Sequence, residues 1–278
     1  MPLPAEPADD VAERLAGELK IPPCPGILAD FSAEARKDEP DTRRLVQLIA
    51  TDAGLSAAIL QTVNSPFYGM ATKATDVRQA LAILGLRGAT GLISGLLLRQ
   101  AFPSAAGGLM QRYWDDSTRI AQAAVAVAGI SRRVSREEAH TYALFRNCGL
   151  AVMIARFADY GDVMDRHDDA PGPELALFEE ARYRYNHARV GHALARGWML
   201  PDVVARSILM HHEIARVADR AAEAAGASPV LVALGLLAEQ VVRLRAGLTV
   251  TAEWSRHEAF ALDILSIEPD DVVALVRA

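Results

Sequence analysis

The chain has 278 residues, 51% of them hydrophobic and 23% charged, with 51 alanines against 16 aromatic residues. That apolar fraction excludes intrinsic disorder, and the alanine excess over β-branched and aromatic residues points to a helical protein. A net charge of −6, from 29 basic and 35 acidic residues, supplies no basic field for phosphate backbones, so a dedicated nucleic-acid-binding domain is not expected.

Two cysteines, Cys24 and Cys148, lie far apart with no CxxC. They form neither a disulfide framework nor a thiolate zinc site. The first residues, Met1 to Glu6, lack the basic and apolar regions of a signal peptide. The longest uncharged stretch, Ala53 to Thr72, contains Gln61, Asn64, Ser65, Pro66 and Gly69 and does not read as a membrane span. A soluble, cytoplasmic protein is the expectation.

Helical periodicity runs through almost the whole chain. Asp9 or Asp10 can cap a first helix through Leu19, and Ile21-Pro22-Pro23-Cys24-Pro25 breaks it. Pro25 suits the start of a helix through Phe31 and Ala35. Asp41 can cap the next, with Leu45, Leu48 and Ile49 at helical spacing. A helix over Leu55 to Val63 should stop at Asn64-Ser65-Pro66. Thr75 or Asp76 can start a helix through Leu84, which Gly85 punctuates, with a second from Leu86 to Gln100.

Pro103 to Gly108 is a loop and the best internal boundary. A long helix follows, about Leu109 to Arg132. Ser135-Arg136-Glu137-Glu138 has capping-box form and should open a helix through Phe145. Asp168 to Pro173 is a loop, Glu174 to Gly197 is expected as one helix, and Pro201 opens a helix through His211. Ser228-Pro229 starts a helix to about Arg245, and Pro269 to Ala278 forms the last.

Of seven histidines, four are His187, His192, His211 and His212. Helices carrying His187 and His211/His212 could converge on a metal, because imidazole is the commonest transition-metal ligand. A hydrolytic site also wants carboxylates. Adjacent helical residues point about 100° apart, so His211 and His212 are not expected to share a ligand direction in mid-helix. The preferred expectation is histidines hydrogen-bonded between helices, with no metal and no cofactor.

Several segments in a fixed order carry a family resemblance. They are Leu19-Lys20-Ile21-Pro22-Pro23-Cys24-Pro25, then Asp52-Ala53-Gly54-Leu55 with Asn64-Ser65-Pro66-Phe67-Tyr68-Gly69, then Ala80-Leu81-Ala82-Ile83-Leu84-Gly85. Trp114-Asp115-Asp116-Ser117 with Ala121 follows, and then His187, Gly191, Leu194, Trp198, Pro201 and His211-His212. From about Leu19 to the C-terminus the chain resembles HDOD proteins, the bacterial "HD-related output domain" group. That group is related to HD-type metal-dependent phosphohydrolases, including the HD-GYP enzymes that cleave cyclic di-GMP.

The resemblance implies an all-α, orthogonal multi-helix array in two packed lobes, 1–105 and 106–278, the second a degenerate HD-like bundle. The catalytic relatives carry an early His, a His-Asp dyad, later histidines and a late Asp. By the resemblance these positions fall at about Asp116, on Arg146-Asn147, on His187, His211 and His212, and near Glu239. Asn147 is a poor ligand. Arg146 would put a fixed positive charge where a cation should sit, and at ~4 Å like charges repel by several kcal/mol.

The expected function is therefore non-enzymatic signal transduction through contact with a regulatory or signalling protein, with no nucleic acid and no membrane. A metal-dependent phosphohydrolase with a reduced site, or a dead pocket that binds a nucleotide, are the alternatives. Arg146 is either an internal cation pairing with Asp116 or Glu239, or a helix-surface arginine. Asn64, Ser65, Tyr68 and Gly69 form either a partner-binding loop or, by preference, a helix–helix corner. Trp114 and Trp198 are expected as core anchors.

Overall fold

The computed structural model describes residues 8–65, 73–103, 108–166, 172–218 and 226–277. Among them are sixteen helices and no strand. The chain divides into two units: residues 23–101, and residues 1–22 together with 102–278. This differs from the boundary drawn at 105. The first 22 residues group with the C-terminal part, because the first helix, α1 (Ala8–Glu18), packs on a helix beginning at His187.

The smaller unit holds α2 (Gly26–Ala35), α3 (Thr42–Ala50), α4 (Ala53–Val63) and α5 (Val77–Ala101). Asp41 caps α3 by accepting from Arg43 N at 2.8 Å, and Asp52 caps α4 by accepting from Leu55 N at 2.9 Å. Each satisfies a backbone donor that the first turn leaves free. Leu28, Phe31, Leu45, Ile49, Leu55 and Val63 are fully buried. Gly85 splits α5 with φ 63 and ψ 172, a backbone region open in practice only to glycine. By length and composition α5 could cross a membrane, yet 61% of its apolar window is buried within the protein and Gly85 breaks it.

Asn64 ends α4, and its side chain reaches ten residues on: Nδ2 donates to Ala74 O at 2.8 Å and Oδ1 accepts from Ala74 N at 2.7 Å. The paired bonds tie the end of α4 to Ala74. Ser65 is half-buried. Pro66, Phe67, Tyr68 and Gly69 lie outside the described residues.

Among the described residues the larger unit holds α1 and eleven further helices. α6 (Gly108–Ser131) and α7 (Arg136–Phe145) form one antiparallel pair, joined by a turn in which Ser135 Oγ accepts from Glu138 N at 3.1 Å. Then come α8 (Cys148–Arg156), α9 (Tyr160–Arg166), α10 (Pro173–Tyr183), α11 (His187–Gly197), α12 (Asp202–Met210) and α13 (Ile214–Ala218). The central helix α14 (Pro229–Arg245) is buried from Leu231 to Val241 and packs on α6, α7 and α12. α15 (Ala252–Leu265) and α16 (Pro269–Arg277) lie against it.

Both tryptophans are core anchors. Trp114 and Trp198 are each 1% exposed, and their indole N–H groups donate to Phe102 O at 3.0 Å and Pro22 O at 2.9 Å. One expected helix, Glu174 to Gly197, is two in the structure. Arg184 adopts a left-handed φ of 67, and Asn186 restarts the chain by accepting from Arg189 N at 2.9 Å. Asn186 is thus a second N-cap inside a periodic run.

Candidate functional site

The site is built where α8 crosses α11. A Cβ on Gly149 would strike the His187 carbonyl and lie 2.7 Å from Gly191 N; one on Gly191 would lie 3.0 Å from Ile208 Cγ2. Two glycines therefore let the backbones touch where any side chain would separate them. This contact seats His187, one turn before Gly191, against the start of α8, next to Arg146 and Asn147.

Arg146 is 1% exposed, and its Nη1 donates to Glu239 Oε2 on α14. Gly235, one turn earlier on α14, opens the slot for it: a Cβ there would lie 2.7 Å from Arg146 Cδ. Burial disfavours the charge, but the Glu239 carboxylate, with Tyr142 and Glu253, outweighs it and holds the guanidinium above its ordinary range. Nε and Nη2 have no acceptor in hydrogen-bonding geometry. Of the two carboxylates considered for Arg146, Glu239 is the partner. Asp116 instead lies on an exposed face of α6 and pairs with Arg119 at 2.9 Å.

Asn147 is buried, and its Oδ1 has no hydrogen-bond partner. With Asp116 and Glu239 it lines a cavity of about 670 Å³, bordered by Arg112, Arg119 and Arg243. The structure thus gathers three of the four positions that the resemblance singles out around one space, and buries the fourth, Arg146, beside it.

The expectation that His211 and His212 diverge is overturned. α12 ends at Met210, so both histidines stand in the turn after it, where the 100° rule of a continuing helix no longer applies. Their rings are 4.0 Å apart, and each lies within 5.3 Å of the His187 ring. His187 Nδ1 meets Glu179 Oε2 at 2.7 Å, His211 Nδ1 meets Ile208 O at 2.6 Å, and His212 Nδ1 meets Glu253 Oε1 at 2.9 Å. His187 Nε2 and His212 Nε2 face each other at 3.0 Å.

Glu179 is wholly buried and fully engaged: Tyr160 Oη donates to Oε1, and the His187 backbone N–H donates to Oε2 at 2.8 Å. Burial opposes its charge, yet His187 and these donors hold its carboxyl below the usual range. Burial, then the neighbouring histidines and Arg146, push His211 and His212 well below the ordinary histidine range. Burial raises Glu253. The three histidines offer one nitrogen each, all mutually within 4.8 Å, and fit a transition-metal ion by donor type. His192 stands apart, with Nδ1 on Ala205 O at 2.9 Å.

Tyr160, Glu179 and Glu253 went unnoticed in the sequence. Glu179 is eight residues before His187, roughly 12 Å along an unbroken helix. Only the break at Arg184 folds it back, and Asn186 was the one signal for that break. Glu253 sits two residues after Thr251, whose Oγ1 accepts from Trp254 N at 3.0 Å and caps a helix not read from periodicity.

The chain is similar to several known proteins. An uncharacterized protein of Treponema pallidum (strain Nichols) is 23% identical over 208 residues, covering 74% of this chain and 40% of that protein, so the chain spans about two fifths of that relative's length. A Shewanella amazonensis SB2B structure with the provisional name of phosphohydrolase superposes with a TM-score of 0.69 at 18% identity, covering 95% of this chain and 91% of that one. An HDOD domain protein of unknown function from Geobacter sulfurreducens gives 0.66 at 19% identity, covering 96% and 87%. These likenesses show a shared all-α fold. The model of the HDOD domain matches residues 21–214, well over half of the sequence, and the chain belongs to the HDOD family.

Proposed function

We propose that this chain is a non-enzymatic signal-transduction module of the cytoplasm that acts by contact with a regulatory protein. The observation that carries this reading is the buried Arg146–Glu239 ion pair, which stands where the resemblance puts the metal-binding dyad and the late carboxylate. A guanidinium never loses its charge at accessible pH. It occupies the carboxylate that a cation would need, and an ion placed ~4 Å away would meet several kcal/mol of repulsion. Asn147 adds no charge to attract one.

The test is turnover. The protein is purified without chelator and assayed with a generic phosphodiester and with cyclic di-GMP, in Mn²⁺ or Fe²⁺. No hydrolysis above the metal-only blank is expected; turnover lost in both His187→Ala and His211→Ala would overturn the reading.

Two observations favour the alternatives. The histidine cluster favours a phosphohydrolase with a reduced site, but the nearby carboxylates, Glu179 and Glu253, are already bound to imidazole Nδ1 atoms. The arginine border of the 670 Å³ cavity favours a nucleotide-binding pseudo-enzyme. A nucleotide that raises the melting temperature, with the gain lost in Arg243→Ala, would move the account to that reading.

A further inference from the structure

The cavity beside Asn147 has features that neither the ion pair nor the histidine cluster uses. Asn147 stands at the N-cap of α8, where an asparagine ordinarily accepts from the first turn, and its side chain makes no such bond. It is 7% exposed and lines the cavity, yet Oδ1 has no hydrogen-bond partner. A buried amide in that state costs stability until something meets it. A half-turn about its last side-chain bond presents either Oδ1 or Nδ2 to the cavity.

The neighbouring charges restrict what meets the amide. Glu239 lines the same cavity and is paired with the buried Arg146. A ligand cation there would face the guanidinium, and a ligand anion would face the carboxylate. A neutral hydroxyl, donor and acceptor at once, suits either edge of the amide.

The wall of the cavity is aliphatic. Ile120, Leu150, Ile154, Met164 and Val242 form it, and Leu248 lines it while still 48% exposed, which puts that side chain at the opening. Tyr113 is the one aromatic residue of the lining. It is 7% exposed, and its ring packs edge-on against Trp114 at 4.7 Å, so it offers a base no flat face to stack on.

The border is cationic. Arg119 is paired with Asp116, and Arg112 lies 3.6 Å from Asp165. Arg243 and Arg245 donate to the carbonyls of Thr249 and Leu275, which cancel no charge. Asp115, the remaining carboxylate of the lining, accepts from Gln111 Nε2 at 2.7 Å. An excess of positive charge therefore stands at this border, in a chain of net charge −6.

We propose that the cavity binds an aliphatic hydroxycarboxylate. The hydroxyl meets Asn147, the hydrocarbon lies along the wall, and the carboxylate reaches Arg243 and Arg245. The volume of about 670 Å³ is that of a small-molecule site, which spans roughly 300–1,000 Å³. Each methylene buried against the wall is worth about fourfold in affinity, so the hydrocarbon supplies most of the binding and the two ends set its orientation.

The full chain is titrated with ω-hydroxyoctanoate by calorimetry, and one equivalent is expected. Octanoate lacks the hydroxyl and octanol lacks the carboxylate, so each should bind about 3- to 10-fold more weakly. Asn147→Leu should erase the difference between ω-hydroxyoctanoate and octanoate. Arg243→Gln should weaken both carboxylates and leave octanol unchanged. Absence of the one-equivalent step in the parent protein, which needs no variant to fold, overturns the proposal. So does a hydroxyl preference that survives Asn147→Leu, or uptake of many equivalents that neither variant alters. Guanosine monophosphate is titrated in parallel, and one equivalent of it in place of the hydroxycarboxylate overturns the proposal in favour of a nucleotide. Phosphodiester turnover bears on the proposed function alone, so the two readings fail separately.

Discussion

Arg146 and His211 are each 1% exposed within the same unit, yet their surroundings treat them in opposite ways. Around Arg146 the protein supplies a slot at Gly235 and a carboxylate at Glu239, and the ion pair ends the demand for a counter-charge. Around His211 it supplies an acceptor for one ring nitrogen and leaves the other facing two more imidazoles. The difference teaches that an arginine and an asparagine at 146–147, where the resemblance expects His-Asp, leave the rest of the polar centre in place. One side has been closed by a fixed cation, and the other keeps its donor geometry.

The largest expected effect breaks the closed side. Glu239→Ala strands a guanidinium that already has two unpartnered nitrogens, and stability should fall by about 3–5 kcal/mol in denaturant unfolding. Replacing both partners, Arg146→Met with Glu239→Leu, should recover most of that loss, since apolar side chains of similar volume can replace a buried pair. A double variant as unstable as the single one would show that the pair is not the source of the cost.

Gly149→Ala attacks the contact that holds the two sides together. Its new methyl would meet the His187 carbonyl and Gly191 N, and separating α8 from α11 should cost about 1–3 kcal/mol. The same change at exposed Gly17, with open space around it, should be neutral or stabilising and serves as the control.

Acid separates burial from the cluster. Burial pushes His140 down to about 4 from an ordinary 6.5. Below pH 6.5 the unfolded chain binds a proton that the folded chain refuses, so stability present at neutral pH is lost as pH falls from 6.5 toward 4. His140→Gln should flatten that slope by on the order of 1–2 kcal/mol over the window. His211 and His212, whose shifts run in the same direction, contribute to the slope that persists.

The smallest effect lies in the other unit. Asn64→Ala removes both bonds to Ala74 and should cost about 1 kcal/mol in denaturant unfolding.

Most of the fold was legible in the sequence because its stops are chemical. Ser228-Pro229, Asp41, Ser135 and Gly85 mark ends through caps and a backbone region that only glycine occupies, and each stands at a helix end or a break in the structure. For Arg146 the resemblance offered Asp116 or Glu239 as a partner beside a helix-surface position, and only the structure selects Glu239. The histidine cluster was misjudged because its geometry depends on where α12 stops. Met210 is followed by no glycine or proline that would mark the stop. The supporting carboxylates were invisible for the same reason: Glu179 reaches His187 only through a left-handed Arg184, a conformation that the residue type does not announce.

The central claim is that the fixed charge of Arg146, rather than the neutrality of Asn147, closes the dyad position to a cation. It is tested most directly by counting metal ions per chain in Asn147→Asp beside the parent protein, both purified without chelator and measured by elemental analysis. The account predicts the same count in both, because Arg146 and its pair with Glu239 are untouched. An additional equivalent in Asn147→Asp would contradict it.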